Sequence, residues 1–210
     1  MKTAKAEIIR EYGPFEDTPR VNGVSYDGRH VWFASGDKLH ALDPESGTET
    51  RAIDVAAHAG TAFDGRYLFQ IGEDKIRKID PETGTVVATI PAPGNGGDSG
   101  LAWCEGSLWV GQYRDRCIHE IDPETGKILR TIESKRHVTG VTWVDGELWH
   151  ATWEDDASDV RRIDPKTGEV LERLDMPEGD GVSGLESDGG DLFYAGTGGA
   201  ATVRAIRRPR

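Results

Sequence analysis

Apolar residues along this chain fall in short β-prone runs, each closed by a turn rich in Gly, Asp or Pro. Residues 100–132 show the pattern best. Gly100 to Trp103 reads as a short strand ending in the Glu105-Gly106 turn, and Ser107 to Tyr113 follows with Leu108, Trp109, Val110 and Tyr113. Aromatic and β-branched residues suit a pleated, half-buried surface. Cys117 to Ile121 and Lys127 to Ile132 supply two more strands, joined by Asp122-Pro123-Glu124-Thr125-Gly126. Proline presets one turn dihedral and glycine accepts positive φ, so this pentapeptide suits a tight hairpin. No segment carries a sustained 3.6-residue apolar period, which disfavours helical repeats.

The pattern is periodic. Asp43-Pro44-Glu45-Ser46-Gly47, Asp80-Pro81-Glu82-Thr83-Gly84, Asp122 to Gly126 and Asp164-Pro165-Lys166-Thr167-Gly168 are copies of one turn, their final glycines 37, 42 and 42 residues apart. A second mark, a glycine opening an apolar run, recurs at Gly23, Gly60, Gly100, Gly140 and, more weakly, Gly184. A period near 40 with four strands per repeat predicts a β-propeller. The last repeat supplies only three strands, near Leu185, at Leu192 to Tyr194 and at Thr202 to Ile206. Ala6 to Tyr12 resembles the fourth strands of other repeats, so it is expected to complete that blade, the alternative being a short N-terminal amphipathic helix. The expectation is an all-β, five-bladed propeller of four antiparallel strands per blade, in one domain over 1–210. Its blades lie at about 21–59, 60–98, 99–138, 139–182, and 183–210 plus 5–12.

Composition narrows the function classes. Lys and Arg number 25 against 37 Asp and Glu, a net charge of −12, which disfavours nucleic acid and anionic membranes as partners. No stretch approaches the ~20 apolar residues of a membrane helix. The start MKTAKAEIIREYG lacks the apolar run of a signal peptide, and a cytoplasmic monomer is expected. Two cysteines make no disulfide framework, and Cys104 and Cys117 fall at opposite ends of their blade.

In a propeller blade the start of the first strand and the end of the second share a face. The longer, less regular loops are there, and such loops usually carry function. His58 and His137 stand just before first strands and are expected to point at the central opening, as proton carriers or metal ligands. Two solvated loop histidines are the plainer reading. His150, inside a second strand, reads as packed. Carboxylates gather on the same face at Asp37, Glu73, Asp74, Asp98, Glu154, Asp155 and Asp156. Asp98 and Glu154 adjoin the expected pocket and could do acid–base work. The rest read as an acidic rim. Tyr113 and Trp153 occupy equivalent second-strand ends and suit pocket walls. Arg114 could hold a substrate carboxylate through paired hydrogen bonds, or merely pair with Asp115. The glycine-rich stretches 94–100 and 196–201 precede no helix, so they read as rim loops and not nucleotide loops.

Val144-Asp145-Gly146-Glu147-Leu148-Trp149, Trp153 and Val160 to Gly168 resemble the plant-type glutaminyl cyclases (glutamine cyclotransferases). That resemblance implies a five-bladed propeller whose family converts N-terminal glutamine to pyroglutamate. It also implies glutamates at the starts of inner strands, one of them transferring protons. The matching positions here are Asn22, Ala59, Ser99, Thr139 and Ser183, none acidic, while Trp153 matches the family's site pattern. The streptogramin lyase type is a second resemblance, through the Leu-Trp second strands. Together these readings set an expectation of an enzyme acting on a small molecule or peptide end by an altered proton transfer, elimination or isomerisation. Its catalytic candidates are His58, His137 and Glu154, and its substrate-binding candidates are Asn22, Asp98, Tyr113, Arg114 and Trp153. No cofactor is required, although a divalent metal in the opening is compatible with the residues. A non-catalytic ligand-binding or interaction propeller is the alternative.

Overall fold

The computed structural model describes residues 1–94 and 96–209, leaving Asn95 and Arg210 outside the described residues. Every element among them is a β-strand. The first blade is β3 (Gly23–Tyr26), β4 (Val31–Ser35), β5 (Lys38–Leu42) and β6 (Glu49–Asp54). The second is β7 (Thr61–Phe63), β8 (Leu68–Gly72), β9 (Lys75–Ile79) and β10 (Val86–Pro91). The third is β11 (Asp98–Cys104), β12 (Ser107–Gln112), β13 (Cys117–Ile121) and β14 (Ile128–Glu133). The fourth is β15 (His137–Val144), β16 (Glu147–Glu154), β17 (Ala157–Ile163) and β18 (Val170–Asp175). The fifth is β19 (Gly184–Ser187), β20 (Leu192–Gly196) and β21 (Val203–Arg207), completed by β2 (Ile8–Tyr12) antiparallel to β21. The ring therefore closes through the N-terminal strand. One element was not foreseen: β1 (Lys2–Lys5) lies parallel on the outer edge of β18, giving that sheet five strands.

The burial pattern follows strand position. The second strands β4 and β8 are buried along their whole length, because each is covered on both faces by neighbouring blades. The outer strands β6, β10 and β14 bury one residue each, Ile53, Ile90 and Ile132. Five apolar clusters result, one at each seam between blades, and none at the axis. Across the seams Phe69 stacks on Trp103 and Trp109 on Trp143, each with centroids 5.6 Å apart. Burying such a ring contributes roughly 1.5–3 kcal/mol.

The Asp-Pro-x-x-Gly turns are self-contained hairpin caps. In each, the aspartate carboxylate accepts the amide two residues on, as Asp43 does from Glu45 at 2.9 Å. The glycine returns its N–H to the aspartate carbonyl at 2.8–2.9 Å. An arginine from the preceding blade reaches three of these turns. Arg10 donates to the Pro44 and Glu45 carbonyls, Arg51 to Glu82, and Arg130 to Pro165.

The recurring glycines that open the inner strands have a different reason. A Cβ on Gly100 would stand 2.6 Å from the Val141 nitrogen, and one on Gly184 would stand 2.7 Å from the Cα of Gly23. Gly60 and Gly140 are equally crowded by the next inner strand. Around the axis, five backbones touch in a closed circuit that admits no side chain.

Candidate functional site

Above that circuit lies a cavity of about 650 Å³. Its floor is the ring of residues that precede the glycines: Asn22, Ala59, Ser99, Thr139 and Ser183. These small side chains leave room because the strands converge beneath them. Two floor hydroxyls are turned outward into structure, Ser99 donating to the Val138 carbonyl at 2.7 Å and Ser183 to that of Val21. The Thr139 hydroxyl is buried without a partner.

Asp98 stands one residue above the floor, at the start of β11 and opposite Gln112. Its Oδ1 accepts Gln112 Nε2 at 2.6 Å and the Gly94 amide at 3.0 Å. Its Oδ2 is buried and unpartnered. Burial pushes this carboxyl above its ordinary pKa, against the opposing pull of those two donors. His58 lines the same cavity from the neighbouring second blade. Its Nδ1 accepts the Glu73 amide at 3.2 Å, which leaves the ring proton on Nε2, 3.7 Å from Asp37 Oδ1. Tyr113 and Trp153 form aromatic walls, the latter resting against the Gly181 backbone, where a Cβ would come within 3.2 Å of its ring.

Asn22, His58, Asp98, Tyr113 and Trp153 thus line one opening, whereas Arg114, His137 and Glu154 do not. The expected convergence of those three requires correction. Arg114 is exposed in the turn after β12, beyond the strand that aims Tyr113. His137 stacks on the Tyr113 ring at 4.4 Å and gives its Nδ1 proton to the Tyr113 carbonyl at 2.7 Å. Its Nε2 accepts from Arg116, and the same guanidinium nitrogen pairs with Glu154 at 3.0 Å. The pair is held in the seam between blades three and four by an arginine that no repeat pattern singled out. Arg116 lies in a turn with φ of 51°, which turns it towards that seam.

The opening also holds residues that the sequence reading passed over. Arg20, Asp180 and Arg204 line it. Arg204 pairs with Asp180 at 2.7 Å and with Glu11, riveting the N-terminal strand to the cavity wall. Arg20 forms no ion pair or side-chain hydrogen bond among the described residues. Arg20 lies in the loop before β3, Asp180 in the loop between β18 and β19, and Arg204 on β21, the third strand of the closing blade. Arg20 and Asp180 sit in inter-blade loops without the repeated turn marks, so only the irregularity of those loops pointed towards them. Among the described residues no group of three or more His, Cys, Asp or Glu side chains is placed to hold a metal ion. Both cysteines are free and buried.

Fold and cavity define a five-bladed propeller with a pocket at the axial mouth of its loop-rich face. The chain belongs to the family described as outer membrane protein assembly factor BamB, whose sequence pattern matches residues 72–208. No curated protein sequence matches it. Among solved structures it is similar to glutaminyl cyclase from Myxococcus xanthus, with a TM-score of 0.80 at 20% identity over 98% of this chain and 97% of that one. It is also similar to a chain of the mitotic checkpoint complex (TM-score 0.60, 13% identity, 97% and 95% covered). The WD40 propeller domain of Doa1 is more distant (TM-score 0.57, 18% identity, 89% and 63% covered). At these identities the likeness is one of fold, and the fold is glutaminyl-cyclase-like.

Proposed function

We propose that the protein is an enzyme acting on a small molecule or peptide end in the axial cavity, with Asp98 as the group that moves a proton. The observation that carries this is the Asp98 carboxyl. One oxygen is fixed by Gln112 and Gly94, and the other is buried and unpartnered, in a residue that lines the cavity. A carboxyl raised in pKa by burial is a better base when ionised and an acid nearer neutrality when not. Tyr113 and Trp153 shield such a transfer from bulk water, and His58 at the rim is the second candidate for proton exchange with solvent. His137 is a positioning residue in this reading, since it holds Tyr113.

Cyclisation of N-terminal glutamine is expected at background rate, because the five floor positions carry no carboxylate. Elimination or isomerisation next to a carboxylate fits the cavity better. Wild-type protein incubated in D2O with a panel of small carboxylates and dipeptides should exchange a carbon-bound proton in at least one, followed by proton NMR. Asp98→Asn should abolish that exchange while the ligand still binds. A ligand that binds without exchange in the wild type would instead favour the non-catalytic binding propeller. A glutamine-starting peptide that loses ammonia above background would restore the family activity.

A further inference from the structure

The two arginines of the cavity are in opposite circumstances. Arg204 is held between Asp180 and Glu11, its charge already compensated. Arg20 has no such partner among the described residues, in a chain with more acids than bases. Its backbone is nonetheless pinned. The next residue, Val21, bridges to Gly198 through an N–H···O bond of 3.0 Å, accepts the Ser183 hydroxyl, and is fully buried. The guanidinium therefore springs from a fixed point on the cavity wall and keeps its donors for something absent from the chain itself.

We propose that the cavity binds a small carboxylate whose anionic group is held by Arg20 and whose apolar body lies between Trp153 and Tyr113. This rests on the cavity being the functional site. A planar guanidinium with free donors matches a carboxylate through two parallel hydrogen bonds. The protein's net charge of −12 repels anions at long range, so an uncompensated cation inside the opening is the feature that would admit one. Arg20 thus takes the role that spacing along the chain had suggested for Arg114.

The test compares hydrocinnamate with its uncharged amide, by tryptophan fluorescence titration of the full chain. The acid should bind at least about tenfold more tightly than the amide, the usual scale of one charge-assisted pair in a partly desolvated site. Arg20→Gln should erase that difference and Arg20→Lys should keep part of it, with melting curves unchanged because the side chain is exposed and unpaired. Trp153→Phe should diminish the fluorescence change for both compounds. Equal affinity for acid and amide, or a preference that survives Arg20→Gln, overturns the assignment to Arg20 while leaving the cavity as the site. Binding whose signal ignores Trp153→Phe places the ligand elsewhere and overturns the reading of the site itself. No binding of either compound overturns the proposal.

Discussion

Single residues in this chain are governed by whether a seam or the axis surrounds them. His150 is buried between blades, and that burial, helped by the nearby Arg161, depresses its pKa to about 4, so it is neutral at physiological pH. Glu186 is the opposite case. It lies two residues beyond Gly184 on β19, accepting the Thr142 hydroxyl and the Ser187 amide, and burial pushes its carboxyl up to about 7 from an ordinary 4.5. The folded protein prefers Glu186 protonated, whereas the unfolded chain ionises it near 4.5. Its contribution to stability is fully present below pH 4.5 and is lost as pH rises towards 7. Glu186→Gln removes that dependence. Urea unfolding at pH 5 and pH 8 should show the variant gaining on wild type by about 1–3 kcal/mol across the interval, a full shift being worth ~1.4 kcal/mol per pH unit. A difference between the two proteins that stays constant with pH would mean that Glu186 is ionised in the fold.

At the scale of the element, each hairpin is a local unit, but its attachment to the next blade is long-range. Arg130 on β14 illustrates this. It donates to the Pro165 carbonyl of the fourth blade at 2.7 Å, pairs with Glu120 at 2.6 Å, and lies 4.8 Å over the Trp109 ring. Arg51 makes the equivalent reach to Glu82 at 3.2 Å, and its cation–ring distance is longer, 5.7 Å. Position 88, the counterpart in the second blade, is alanine and has no such reach. Arg130→Ala should cost about 1–2 kcal/mol in chemical denaturation, and Arg51→Ala less than that. An Arg130→Ala protein within about 0.3 kcal/mol of wild type would show that the clasp is ornamental, as many exposed pairs are.

For the whole molecule, ring closure is the decisive event. β2 completes the fifth blade through Tyr12, which is 5% exposed in the core between blades five and one. It is tied to that blade by Glu11 with Arg204 and Glu7 with Arg207. β1, by contrast, is exposed along its length and adds only to an edge. Deleting residues 1–12 should lower the melting temperature by at least about 10 °C. Losing the buried Tyr12 together with the half-buried Ala6 and Ile8 costs several kcal/mol, and each kcal/mol is worth roughly 2–4 °C in a chain of this size. Deleting residues 1–5 should lower it by no more than about 3 °C. Equal effects of the two deletions would mean that closure does not depend on β2.

The architecture was legible because it is written locally and repeatedly. Asp-Pro-x-x-Gly and the opening glycines recur at a propeller's period, and the three-stranded last repeat pointed to Ala6–Tyr12 as its missing partner, where Ile8–Tyr12 forms the strand. Asn22, His58, Asp98, Tyr113 and Trp153 were legible for the same reason, since strand register fixes which ends of a blade face the axis. Tertiary structure decided the rest. It added β1 to an edge that β-strand periodicity does not reserve. It tied His137 and Glu154 into a seam through Arg116, because a side chain at a strand's start also finds partners in the neighbouring blade. It brought Arg20 and Asp180 from two inter-blade loops, and Arg204 from β21, to one cavity, where separation along the chain bears no relation to distance in space.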